Sequence, residues 1–250
     1  MVTEIYDGDL SRLLKTNLKL SERTRKEIMY QTLKGLSVIH NSNIIHRDIR
    51  LNNILIRFEL NFMKVAIADF GLSRKDCKEK SSLLSISCSP FIAPEGLVSL
   101  DADYGKGVDV WSLAVCFGLL ISRKNSQLFP PPSNSSPFAQ LSSIFSVVGG
   151  PPSSFFPQSS KNQFSQLVNM PASKTLEEIV PSASKQELHL ICKMLQALPS
   201  KRITALQALN HPLFEAHSQE EQSNQIELFI DEETFTEDEK KLREALQEVI

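Results

Sequence analysis

The stretch His46-Arg47-Asp48-Ile49-Arg50-Leu51-Asn52-Asn53 limits what this chain can fold into more than any other. It is mostly polar, and it leads into a short apolar run, Ile54 to Ile56. A second run, Val65 to Ala68, leads into Asp69. Both runs are short and rich in β-branched residues, so they read as two strands of a hairpin that sets Asn53 and Asp69 side by side. Asp48 is an acceptor able to orient a hydroxyl nucleophile. The Asn53 amide oxygen and the Asp69 carboxylate suit a hard cation such as Mg²⁺, which prefers oxygen ligands. Taken alone, Asp48 reads as a turn residue; its neighbours change that reading.

The pattern H-R-D-x-x-x-x-N is followed by Asp69-Phe70-Gly71, then Ala93-Pro94-Glu95, then Asp109-Val110-Trp111-Ser112. In this order and spacing the four motifs resemble the signature set of eukaryotic Ser/Thr protein kinases. The resemblance implies a mainly α kinase C-lobe with a small β-hairpin beside the catalytic loop. It also implies phosphoryl transfer from ATP, with Mg²⁺, to Ser or Thr of a protein substrate. By this resemblance Asp48 orients the hydroxyl, and Asn53 and Asp69 hold Mg²⁺. Arg50 steadies the γ-phosphate where such kinases usually carry Lys, a swap that alters geometry but not charge. Leu55 joins the nucleotide-binding set, and Phe70 and Gly71 complete the turn that carries Asp69. His46 packs under the loop, and Arg47 reaches a phosphorylated activation-loop residue. Asp109 ties down the loop backbone and caps the helix that follows. Glu95 and Arg202 form a buried ion pair.

The resemblance extends to both ends of the motif set. Val2 to Leu10 is similar to the last N-lobe strand and the hinge, with an ordinary amphipathic strand and turn as the alternative. Thr3 then stands at the gatekeeper position, Glu4 and Tyr6 offer backbone groups to an adenine edge, and Asp9 can bond a ribose hydroxyl. Leu128-Phe129-Pro130, Gln140-Leu141-x-x-Ile144-Phe145 and Gly149-Gly150-Pro151 resemble the insert of cyclin-dependent and mitogen-activated kinases; a generic Pro/Ser loop is the alternative. No G-x-G-x-x-G occurs in the 250 residues. The expectation is therefore a C-lobe whose phosphate-covering N-lobe is missing, and a chain weak or inactive as a kinase. A non-catalytic, kinase-derived binding module is the rival reading. The expected division is 1–10 (strand and hinge remnant), 11–214 (C-lobe, with a Pro/Ser-rich insert at 124–173) and 215–250 (tail).

Leu51 and Asn52 replace the usual Pro and Glu of the catalytic loop, and Cys88 stands where a Thr is common. Ser81, Ser82, Ser85 and Ser87 are candidate phosphosites in the activation segment 72–92. Ser21 and Glu22 open a helical pattern in which Ile28, Met29, Thr32, Leu33, Leu36 and Ile39 share a face. Trp111 to Ser122 is apolar almost all round, which predicts a buried helix. Ser184 to Leu195 predicts an amphipathic helix, and Thr204 a cap for the next one.

Charge and composition close off other classes. A net charge of −2 argues against nucleic acid as a partner. Four scattered cysteines fit reduced thiols inside a cell better than a disulfide framework. The first residues resemble no secretory signal, and the longest apolar run, Val110 to Ile121, is too short to span a bilayer. An intracellular chain acting on a protein substrate, with a possible regulatory protein and no membrane, is the expectation. Residues 215 to 250 carry twelve acidic and three basic side chains, a net of −9, so the rest of the chain is +7. Thr236 to Glu239 fits a capping box before a helix over Lys240 to Val249. That tail reads as a solvated extension, or more sharply as a partner-binding or self-docking segment.

Overall fold

The computed structural model describes residues 4–16, 18–59, 63–76, 90–98, 105–122, 128–130, 136–215, 240, 241, 244 and 246. In chain order, β1 (Gly8–Asp9) runs into α1 (Leu10–Lys15), then α2 (Glu22–Asn41) and β2 (Ile44–Ile45). The stretch His46 to Asn53 leads into β3 (Ile54–Phe58), β4 (Met63–Ile67) and β5 (Arg74–Lys75). Helices follow: α3 (Pro94–Val98), α4 (Gly107–Ser122), α5 (Pro137–Val148), α6 (Leu176–Ile179), α7 (Lys185–Met194) and α8 (Ala205–Leu209).

The expected hairpin is present as antiparallel β3 and β4, with Ile54 opposite Ile67. It is not alone. β1 adds a third strand, Gly8 opposite Ile56, giving the order β1-β3-β4. β2 and β5 form a separate pair, Ile45 opposite Arg74. A strand is expected within Val2 to Leu10; among the described residues it is confined to Gly8–Asp9, whose partner β3 the sequence does not reveal because two residues have no alternation of their own. The Asp7 N–H donates to the Ile56 carbonyl at 2.9 Å, and the Asp7 carboxylate accepts from Phe58 N–H at 2.7 Å.

Helix α2 starts where its cap predicts: the Ser21 hydroxyl accepts from Thr24 N–H. Its buried face carries Ile28, Met29, Leu33 and Leu36. Helix α4 is buried nearly throughout, from Val110 to Ile121, and packs against α2 and α7. An all-apolar surface leaves such a helix nowhere to sit but the centre. It begins at Gly107, so Asp109 lies inside its first turn rather than capping it. That corrects the expected capping role and leaves the carboxylate to the backbone of His46 and Arg47.

Among the described residues of the Pro/Ser-rich stretch 124–173 the longest element is α5, capped by Ser136 with Pro137 at its start. Gly149 has φ +80° and follows that helix. A Cβ on Gly150 would collide with the Leu167 carbonyl and the Met170 backbone, so the insert folds back on itself only through glycine. A buried ion pair that spacing did not reveal joins α2 to α7. Arg25 Nε and Nη2 meet the two Glu187 carboxylate oxygens at 2.9 and 3.0 Å. Glu187 also accepts from Ser184 N–H, completing a capping box. No helix among the described residues is long and apolar enough to cross a membrane.

Candidate active site

The polar loop is held from below by a single carboxylate. Asp109 is fully buried, and its oxygens accept from the backbone N–H groups of His46 and Arg47, each at 2.8 Å. Its Oδ2 also meets His40 Nε2 at 2.9 Å. Two amides and a histidine fix the turn at Arg47, whose φ is +69°. His40 escaped the sequence reading. It lies at the end of a buried helical face, and nothing in its neighbours in sequence pairs it with a residue 69 positions away.

His46 is buried beneath the loop. Its Nε2 lies 3.1 Å from the Ala68 carbonyl, and its Nδ1 accepts from Asp48 N–H at 3.3 Å. Its ring meets Phe70 edge-on, with centroids 4.8 Å apart. Burial pushes its imidazole pKa below the ordinary value, against the opposing pull of Asp109, the Ala68 carbonyl, Asp48 and Asp69. That last pair places both carboxylates within electrostatic reach of one ring.

Asn53 joins the parts. Its Nδ2 donates to the Asp48 carbonyl and to Asp48 Oδ2, both at 2.8 Å. Its backbone carbonyl accepts from Ala68 N–H at 2.8 Å, which brings in the residue just before Asp69. Asp48, Asn53 and Asp69 therefore share one face. Asp69 is left-handed, with φ +63°, and its Oδ1 accepts from Gly71 N–H. Among the described residues no hydrogen bond is made to Asn53 Oδ1 or to Asp69 Oδ2. An amide oxygen and a carboxylate oxygen are thus left for a cation, and both are hard donors that fit Mg²⁺. No group of three or more His, Cys, Asp or Glu suited to a metal exists among the described residues. Two protein ligands are the usual complement where phosphates supply the rest.

The remaining candidates fall in three places. Arg50 is exposed beside this face, its Nη1 3.9 Å from Asp48 Oδ1. Arg47 Nε donates to the Leu72 carbonyl. Glu95 and Arg202 form a two-pronged pair at 2.7 and 3.0 Å, with the Arg202 guanidinium 5.1 Å above the Trp111 ring. On the β1 side, Asp9 caps α1 through Oδ1, accepting from Ser11 and Arg12 N–H. Glu4 is exposed and pairs with Lys64 at 2.7 Å, whose hydrogen bond and charge hold its carboxyl below the usual pKa. Tyr6 and Leu55 are half-buried. Thr3, Cys77, Cys88, Ser81, Ser82, Ser85, Ser87 and Thr236 to Glu239 lie outside the described residues.

The family pattern described as the protein kinase domain matches residues 1–214. This chain belongs to the protein kinase domain family. Its relatives include mitogen-activated protein kinase 5 of Oryza sativa subsp. indica, 31% identical over 218 residues, covering 86% of this chain and 57% of that protein. Extracellular signal-regulated kinase 2 of Dictyostelium discoideum is 34% identical over 223 residues, covering 85% of this chain and 58% of that one. Mitogen-activated protein kinase 3 of Arabidopsis thaliana is 32% identical over 213 residues, covering 84% and 55%. The chain thus resembles the mitogen-activated group of kinases and spans little more than half the length of these relatives.

Proposed function

We propose that this chain carries the catalytic loop and metal ligands of a Ser/Thr protein kinase, transferring the γ-phosphoryl group of ATP to a protein hydroxyl. The observation that carries the reading is Asn53, hydrogen-bonded to Asp48 while its strand start pairs with the residue before Asp69. Asp48 would accept the hydrogen bond of the attacking hydroxyl. Asn53 and Asp69 would hold Mg²⁺, which when bound neutralises charge on the phosphates. Arg50 would meet the γ-phosphate from the solvent side, and Leu55 would lie under the base. Residues 4–9 would be the hinge, with Glu4 and Tyr6 backbone groups toward adenine, Asp9 toward the ribose and Thr3 at the gatekeeper position. Residues 11–214 would form the C-lobe and 215–250 an acidic tail, in a chain acting inside the cell.

The 250 residues hold no Gly-rich loop. By themselves they would cover a nucleotide on one face and transfer slowly, since this chemistry depends on positioning and charge stabilisation. Incubating the 250-residue chain with γ-labelled ATP, Mg²⁺ and a mixture of Ser/Thr peptides tests both points. The expected result is at most slow labelling, all of it lost in Asp48→Asn. Rapid turnover would overturn the weak activity, and labelling that survives Asp48→Asn would overturn the site.

A further inference from the structure

The strand that delivers Asp69 to the site is an edge. β4 lies outermost in the order β1-β3-β4, and its inner side ends on the bond from Ala68 N–H to the Asn53 carbonyl at 2.8 Å. An edge strand presents a row of backbone donors and acceptors with no further strand to receive them. Here a side chain of α2 receives them. Gln31 Oε1 accepts from Val65 N–H, and its Nε2 donates to the Met63 carbonyl, both at 2.7 Å. One residue of a parallel neighbouring strand would bond the same two groups. Gln31 Nε2 also donates to Glu27 Oε1 at 2.6 Å, one turn earlier on the helix. Two acceptors at one end and an N–H at the other fix which way the amide points. One turn later α2 carries Gly35, and a Cβ there would lie 3.7 Å from Ile67 Cδ1. The helix therefore meets β4 near both of its ends.

We infer that Gln31 is a positioning residue for the Asn53 and Asp69 pair. Its amide stands in for a fourth strand and stops β4 from sliding along β3. Register matters here because a slip of one residue turns every side chain of a strand to the opposite face. Such a slip would break the Ala68 to Asn53 bond and carry Asp69 away from Asn53. Gln31 holds the outer edge of β4 while Asn53 holds the inner one, so its influence on the pair passes through the strand. The effect on a bound ion rests on Asn53 and Asp69 being the Mg²⁺ ligands; the hold on β4 does not.

Two amides of the nucleotide-free full chain report the hold on β4. Gln31→Leu keeps most of the side-chain bulk and takes the partner from Val65 N–H and from the Met63 carbonyl. Hydrogen exchange should quicken roughly tenfold at Val65, and at Ala68 in step with it. Gln31→Glu, whose carboxylate accepts but does not donate and faces Glu27, should act in the same direction. Binding of Mn²⁺ with a non-hydrolysable ATP analogue, followed by Mn²⁺ EPR, should weaken about tenfold in Gln31→Leu. Thr204→Ala, which removes the cap of α8, lowers stability and should leave that affinity unchanged. In an Asp69→Asn background Gln31→Leu should weaken Mn²⁺ no further, because the ligand it positions is gone. Unchanged exchange at Ala68 would overturn the inference, as would wild-type Mn²⁺ affinity in Gln31→Leu where Asp69→Asn binds weakly. Equal affinity in Asp69→Asn and wild type would instead remove the metal assignment and leave the hold on β4 to be decided by the exchange rates.

Discussion

Asp109 bears more of the site than any residue that would touch substrate. It offers its two oxygens to three donors: the buried His46 N–H and His40 Nε2, and the half-buried Arg47 N–H. Replacing it by Ala leaves those donors without an acceptor. Each orphaned buried group costs roughly 1–3 kcal/mol, so Asp109→Ala should lose about 3 kcal/mol or more in denaturant titration. The exposed Arg50–Asp48 pair at 3.9 Å should by contrast be worth little to stability. A pH dependence follows from two histidines. His46 is held below its ordinary pKa by burial, and His211 by burial and then by the neighbouring charges of His189 and Lys193. His211 Nε2 faces His189 Nδ1 at 2.7 Å, and its Nδ1 accepts from Leu213 N–H at 3.1 Å. Both rings bind a proton more readily unfolded than folded. Below the unfolded value of 6.5 the unfolded state therefore gains protons first, and stability falls with pH. Urea midpoints measured from pH 7.5 down to 5.5 should decrease, and His211→Gln should make the decrease shallower.

At the scale of elements, the ion pair between α2 and α7 is the clearest test of how the helical layer is fastened. Glu187 is fully buried and serves both Arg25 and the Ser184 N–H. Glu187→Ala would strand the Arg25 guanidinium and undo a capping box. The expected loss is about 3–5 kcal/mol, readable as a lower unfolding midpoint, with partial recovery when Arg25 is replaced by Met in the same chain. Neither this pair nor His40 was visible in the sequence, because their partners are 162 and 69 residues away and no local period links them. The helices themselves were legible. Ser21, Thr204 and the three- and four-residue spacing of Ile28, Leu33 and Leu36 carry their own geometry. For β1 a strand within Val2 to Leu10 was legible but its place at Gly8–Asp9 was not, since a two-residue strand is made by its partner. Asp109 was misplaced as a cap for a similar reason. Helix ends depend on where the chain turns, and Gly107 starts the helix two residues earlier.

At the scale of the whole molecule, two short apolar runs sufficed to predict the β3–β4 pairing, Ile54 opposite Ile67, and that pairing sets Ala68, the residue before Asp69, against Asn53 on the face that carries Asp48. Exposed Phe70 and Leu72 beside that face are apolar surface that a bound nucleotide or a covering segment would remove from water. In the proposed function Asn53 and Asp69 would hold one divalent ion beneath a triphosphate, with Asp48 beside it. Paramagnetic broadening of amide NMR signals by Mn²⁺ bound with a non-hydrolysable ATP analogue measures this directly. The Asp48, Asn53 and Gly71 signals should be lost in the wild-type chain and return in Asp69→Asn. Broadening centred on the acidic stretch 215–239, or unchanged by Asp69→Asn, would contradict it.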